Sequence, residues 1–186
     1  MIFGVRVARL YAWDRGLNFR AERRRLVKLI KSEGMGSSRS VRRVAYFSVL
    51  LIQLSNGLRI SEAVDAALAW AGSGRREVRV AVRKRRDPYE RLVVIPKELG
   101  ARGRAAVATL LNEDSGKLVV RLKTFCRAAL GYNTHALRYA FISYMGLEKK
   151  LPAQLIAKMT GHKKLDHILH YTEKELAEEV LRAVAG

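Results

Sequence analysis

Cysteine is all but missing from this chain. Cys126 is the single one among 186 residues, which excludes an intrachain disulfide and a cysteine-based zinc site. Long apolar runs are missing too. The longest stretch without a charge is Val44–Leu58, fifteen residues that include Gln53, Ser55, Asn56 and Gly57, whereas a bilayer span needs about 20 apolar residues. No apolar run precedes Arg6 and Arg9, so no secretory leader is legible. Amides are scarce, with four Asn and two Gln; a hot environment selects for that, and so does a biased genomic base composition. Acidic side chains are outnumbered: 17 Asp+Glu face 36 Lys+Arg, a formal net charge of +19. What is present is 49% hydrophobic, enough for a packed core in one domain and against wholesale disorder. These features predict a soluble, cytoplasmic protein with a polyanionic partner, nucleic acid by default, and no membrane. Most of the bases are arginines, which suit bidentate phosphate contact.

Neither an internal repeat nor a low-complexity or proline-rich linker interrupts the chain. Residues 1–12 alternate loosely and read as a short strand. A helix is expected after Asn18, an N-cap residue type, with Leu26, Leu29 and Ile30 along one side and Gly34 as its C-cap. Residues 34–38, GMGSS, read as a loop. From Ser40 to about Leu54 the pattern is apolar most of the way round, as in a buried helix. SNG at 55–57 breaks it, a second helix follows over Ser61–Trp70, and AGSG at 71–74 reads as a turn. EVRVAVR (77–83) alternates with period two, and ERLVVIP (90–96) answers it across the turn RRDPY at 85–89. Helices are expected near Lys97–Leu111, Lys117–Leu130, Thr134–Leu147 and Pro152–Met159. A last one, Glu173–Val184, carries Leu176, Val180, Leu181 and Val184 on one face. The predicted class is α+β, mostly α, with one small antiparallel hairpin or three-stranded sheet.

Charge is uneven along the chain. Residues 20–43 carry nine bases and two acids, 9 − 2 = +7; the hairpin at 75–91 carries eight and three, 8 − 3 = +5; the end after Tyr171 carries two and four, 2 − 4 = −2. Two basic regions and an acidic end predict a DNA face with the tail turned away from it.

Four places join a helix-breaking loop to a cation or a nucleophile. In SNGLRISEA (55–63) Arg59 opens a helix, where backbone N–H groups favour an anion. Glu62, three residues on, is spaced to orient its guanidinium; an ordinary surface pair has the same spacing. The hairpin has Lys84 as its only lysine. It is a candidate phosphate contact and, with a lowered pKa, a proton donor to a leaving oxygen. Arg79, Arg83, Arg85 and Arg86 around it read as a DNA-contacting face without chemistry. In NTHALRYAF (133–141) His135 and Arg138 stand three apart on one helix and can reach two oxygens of one phosphate. In TGHKKLDHILHYTE (160–173) His162 follows Gly161, Lys163 and Lys164 are further DNA contacts, and Tyr171 lies nine residues after His162. His162, His167 and His170 invite a metal reading. Their spacing matches none of the usual zinc patterns, so neither metal nor cofactor is predicted.

An arginine in GLRxSEA, a hairpin lysine, HxLRYxF and GHx8Y follow one another over the 112 residues from Arg59 to Tyr171. In that order they resemble the tyrosine recombinase (phage integrase) family. The resemblance covers about residues 15–186, with LNFRAERRRLVKLIK as the first helix of the family's helical catalytic fold. It implies that Tyr171 is the nucleophile, that Arg59 and Arg138 bind the non-bridging oxygens of the scissile phosphate, that His135 and His162 are the site's histidines, and that Lys84 is the general acid. The family often has Gly-Lys-Gly at the hairpin. This chain reads VRKRRDPYE, so Arg83 and Arg85 each stand one position from the expected lysine. The implied activity is cleavage and rejoining of double-stranded DNA through a 3′-phosphotyrosyl intermediate, in a tetramer linked by the C-terminal helix. Type IB topoisomerase-like relaxation and a non-catalytic DNA-binding remnant are the rival readings. Family members usually carry an N-terminal DNA-binding domain that completes a clamp. Only the short extension 1–14 precedes the catalytic region here, so weak, salt-sensitive DNA affinity is expected.

The chemistry suits these residue types. Attack on a phosphodiester builds negative charge on the equatorial oxygens, and one preorganised donor is worth about 3 kcal/mol there. A phenol, with a pKa of about 10, is nearly all protonated at neutral pH and needs a base or a strongly cationic site. The leaving 5′-oxygen needs a proton. The phosphotyrosyl ester conserves the bond energy, so strand exchange needs neither ATP nor metal. Tyr139 and Tyr144 compete with Tyr171 for the nucleophile's role. Tyr139 adjoins Arg138, but adjacent helical residues point about 100° apart, and both tyrosines read as packing residues.

Overall fold

The computed structural model describes residues 16–82, 89–162 and Val184. Within them seven α-helices and one two-stranded antiparallel sheet follow in the order α1–α2–α3–β1–β2–α4–α5–α6–α7. The mostly-α, α+β class is thus correct, and the sheet is a hairpin among the described residues. The strand expected over 1–12 and nearly all of the helix expected over Glu173–Val184 lie outside those residues.

α1 (Phe19–Ser32) begins where Asn18 Oδ1 accepts the Ala21 N–H at 2.9 Å, the expected cap. It ends at Ser32, and its C-cap is Glu33, one residue before Gly34. The Glu33 N–H donates to Leu29 O at 3.1 Å and the chain leaves extended (φ −69°, ψ 138°), so no left-handed residue is required and Gly34 is not the cap. α2 (Ser38–Asn56) starts two residues earlier than expected, because Ser37 Oγ accepts the Ser40 N–H at 3.1 Å. Every residue from Val44 to Leu54 is buried, which makes α2 the central column; α1, α3, α4 and α6 all lie against it. Each large apolar side chain sealed there contributes about 1.5–3 kcal/mol.

Gly57 ends α2 in the left-handed region (φ 60°), and a Cβ on it would run into the Phe141 ring. α3 (Ile60–Ser73) then turns back at 113° to α2 and absorbs most of the turn expected at 71–74, stopping at Gly74 (φ 73°). No single helix among the described residues is long and apolar enough to cross a membrane.

β1 (Glu77–Ala81) and β2 (Glu90–Val94) pair with Val78 opposite Val93 and Val80 opposite Arg91. The Val82 N–H donates to Tyr89 O at 2.8 Å, one step beyond the ladder. α4 (Ala101–Ala108) is shorter than the expected 97–111, because Leu99 N–H closes a turn on Pro96 O before the helix starts. α5 (Ser115–Leu130) is capped by Asp114 and Gly131. α6 (Thr134–Ser143) passes into a single π-helical turn, Tyr144–Glu148, which takes the place of its expected last turn. α7 (Ala153–Thr160) stops at Gly161 (φ 71°). A Cβ on Gly161 would meet Val82 Cγ1 at 2.8 Å, so the end of α7 sits directly on the end of β1.

Candidate active site

Four segments converge where α2 ends, and two side chains of its last turn do the joining. Gln53 Nε2 donates to Leu58 O (3.2 Å) and Thr134 O (2.9 Å), tying the entrance of α3 to the entrance of α6. Asn56 meets β2 as another strand would: its Oδ1 accepts the Val94 N–H at 3.0 Å, and its Nδ2 donates to Val94 O at 3.0 Å.

Arg59 is the N-cap residue of α3, as the sequence suggested. Its Nη1 donates to Glu62 Oε1 at 2.9 Å, and its backbone N–H donates to Glu62 Oε2 at 3.1 Å. Glu62 is fully buried, while the Arg59 side chain keeps 22% of its surface. This is not an exposed helix pair: the carboxylate is sealed from water and the guanidinium is only partly exposed.

Arg138 on α6 is 2% exposed. Its Nη1 donates to Gly57 O at 2.7 Å, two residues before Arg59, and its Nη2 donates to Thr160 O at 2.9 Å. Nη2 also lies 3.0 Å from His162 Nε2. Three of its five N–H groups are therefore engaged by partners among the described residues. Burial first, and then the neighbouring Arg59 charge, lower its pKa to about 9, against the pull of Glu62.

The hydrogen-bond logic also assigns the His162 tautomer. The Thr160 hydroxyl donates to Ile156 O at 2.6 Å, so its oxygen accepts from His162 Nδ1 at 2.7 Å. Nε2 is then unprotonated, and Arg138 Nη2 lies close to both ring nitrogens, 3.0 Å from Nε2 and 3.3 Å from Nδ1. The second imidazole, His135, is one turn ahead of Arg138. It is exposed, with its ring edge-on to Tyr139 at 5.3 Å between centroids.

The structure thus brings Arg59, Arg138 and His162 together, with His135 on the same helix as Arg138. Arg79 is exposed on the outward face of β1 opposite Leu92. Lys84, Arg83, Arg85, Arg86, Lys163, Lys164 and Tyr171, together with His167 and His170, lie outside the described residues. Tyr144 stacks on Phe19 at 4.2 Å between centroids, with the Arg20 guanidinium over its ring, a packing role as expected.

One member of the cluster escaped the sequence reading. Arg91 on β2 is 4% exposed, and burial, followed by the opposing effects of Glu62 and Arg59, lowers its pKa to about 10. The signal was present in the alternation. The valines of β1 face inward at 78 and 80, and the register places Arg91, not Leu92, on that same face. Arg59, Arg91 and Arg138 against Glu62 leave 3 − 1 = +2 at the end of α2, a site short of an anion. A second basic feature, a groove of about 940 Å3 along α1, has Arg20, Arg24, Lys28 and Lys31 over Val27 and Tyr144 and shares no residue with the cluster.

The fold is mostly helical, and its candidate site is a buried arginine cluster. The chain is 38% identical over 173 residues to "Putative integrase ORF241" of Acidianus two-tailed virus, covering 93% of this chain and 69% of that protein. It is 30% identical over 159 residues to "Putative integrase V10" of Sputnik virophage, covering 74% and 70% of the two chains. It is also 30% identical over 198 residues to "Uncharacterized protein MJ0770" of Methanocaldococcus jannaschii, covering 92% and 88%. No family model and no solved structure matches it. The chain belongs to the integrase family that these viral proteins represent.

Proposed function

We propose that this protein cleaves and rejoins double-stranded DNA as a tyrosine recombinase, with residues 15–186 as its catalytic domain. The observation that carries this reading is the convergence of Arg59, Arg138 and His162 on one spot of net positive charge, although they come from the start of α3, the middle of α6 and the end of α7. Arg59 presents its partly exposed guanidinium to one non-bridging oxygen, and the N–H groups of Arg138 that have no partner among the described residues serve the other. The Tyr171 hydroxyl gives up its proton to solvent under the pull of the cationic site, and its oxygen attacks the phosphorus to form a 3′-phosphotyrosyl ester. The bond to the 5′-oxygen breaks, and Lys84 protonates that oxygen as it leaves. Lys84 follows Val82 by two residues and Tyr171 follows His162 by nine, so both are tethered to segments that meet at Gly161. His135 and His162 are the imidazoles beside that phosphate. Arg79, Arg83, Arg85, Arg86, Lys163 and Lys164 contact the DNA backbone. Self-association on DNA runs through the acidic segment after Tyr171, in an intracellular, DNA-associated setting.

The test is a nicked duplex carrying candidate attachment sites, followed by denaturing electrophoresis. Wild-type protein is expected to leave a denaturation-resistant adduct, and Tyr171→Phe none. An adduct that persists in Tyr171→Phe removes that residue as nucleophile. No adduct from wild type on any duplex favours a non-catalytic DNA-binding remnant. Relaxation of supercoiled plasmid without strand exchange favours the topoisomerase-like reading.

A further inference from the structure

Arg91 is the second residue of β2, opposite Val80, on the face that the sheet buries. Two of its three nitrogens are spoken for. Nη1 donates to Met159 O at 2.8 Å, three residues before His162. Nη2 donates to Asn56 O at 2.9 Å, three residues before Arg59. The third, Nε, is buried and has no acceptor among the described residues. It lies 4.0 Å from Glu62 Oε2, about 1 Å beyond hydrogen-bond length.

A buried N–H without an acceptor is costly and rare, and a carboxylate oxygen can accept more than one bond. Glu62 spends both oxygens on Arg59, through Nη1 and the backbone N–H. When the Arg59 guanidinium turns to a phosphate, Glu62 loses its charge partner while sealed from water. A movement of about 1 Å onto Arg91 Nε restores one. Lysine cannot do this, because a single ammonium does not reach two carbonyls and a carboxylate in the directions of a planar fork.

We propose that Arg91 is a positioning residue of this site: it backs the Glu62 carboxylate from the strand side, fixes the anchor against which Arg59 is aimed, and takes over that carboxylate when Arg59 engages a phosphate. This rests on the reading of Arg59 as a phosphate ligand. Arg91 itself touches no substrate. It couples the two chain segments that carry Arg59 and His162, so its effect falls on the rate of the chemical step and not on DNA capture.

The test uses the whole chain and two readouts. In protein labelled with 15N-arginine, the Arg91 Nε–H resonance, assigned through its own backbone, is followed on addition of inorganic phosphate and of a nicked duplex. It shifts downfield in wild type and stays in place in Glu62→Gln. In the adduct assay at saturating duplex, Arg91→Lys lowers the rate constant by about tenfold or more while the half-saturating duplex concentration changes by less than about twofold. Arg91→Lys adds no further loss in a Glu62→Gln background. A resonance that ignores both anions, one that moves equally in Glu62→Gln, or equal rate losses in the two backgrounds overturns the proposal. If Arg91→Lys fails to fold by thermal melting, the resonance with and without Glu62→Gln decides. A wild-type protein that forms no adduct yet shows the Glu62-dependent shift keeps this coupling and discards the strand-transfer reading. An adduct-forming protein with a silent Arg91 resonance does the reverse.

Discussion

A guanidinium sealed from water is expensive to hold, and this protein seals two of them, Arg91 and Arg138, behind a third, Arg59. The lowered pKa values of Arg138 and Arg91 describe sites that gain when an anion arrives. Inorganic phosphate, and duplex DNA more strongly, should therefore raise the melting temperature, with about 2.7 kcal/mol of stabilisation at one hundred times Kd. A melting curve indifferent to both ligands would contradict the arginine cluster as an anion site. Gly57 has no such latitude. Gly57→Ala places a side chain at φ 60° against the Phe141 ring and should cost about 2–4 kcal/mol in urea unfolding. Cys126 is fully buried, and burial, reinforced by the Glu22 charge, pushes its thiol up to about 12. It should resist thiol reagents in native protein and react once urea unfolds it. Stability depends on pH through the same thiol. Its contribution is complete below the ordinary thiol pKa of about 9 and fades as the pH rises from there towards about 12. Rapid labelling of native protein at neutral pH would show the site open.

At the scale of elements, few polar links among the described residues attach the hairpin to the helical body, and Asn56 supplies two of them on Val94. Asn56→Ala should cost about 1–2 kcal/mol and speed amide exchange in β2 ahead of α2. Equal exchange in both elements would mean that the valines and the Arg91 bonds to Met159 O and Asn56 O hold the hairpin without the Asn56 side chain. The first helix was legible in outline: Asn18 caps it as its residue type suggests. Its far end was not, because an extended exit at Glu33 leaves no mark in the sequence comparable to a left-handed glycine. The π-helical turn at Tyr144–Glu148 was equally hidden. Its first residue, Tyr144, stacks on Phe19, a contact between residues 125 positions apart.

For the whole molecule, charge outweighs every other property in deciding what it meets. With a net +19, association with duplex should weaken steeply as salt rises, by about 0.9 log units per decade for each phosphate neutralised. Replacing Lys28 and Lys31 in the α1 groove with Gln should lower that slope by about 1.8 if the groove lies along the DNA. An unchanged slope would place the duplex on another face. Filter binding or fluorescence anisotropy across a salt series reads either outcome.

Local pattern alone determined a good deal of this protein. The apolar run from Val44 onward dictated a buried central helix, the alternation at 77–83 and 90–96 dictated a hairpin, and the surplus of arginine pointed to a polyanionic partner. The Arg59–Glu62 spacing even specified a pair, since three residues on a helix bring two side chains to one face. Only the tertiary structure decided what that pair faces. It turned β2 so that Arg91 is buried and Leu92 and Val94 stand 48% and 50% exposed, because the valines of β1 claimed the inward register first. It also carried Arg138 and His162 to the end of α2 through Gln53, Gly57 and Gly161. No periodicity in the chain encodes those encounters, because long-range packing sets the distance between residues far apart in sequence.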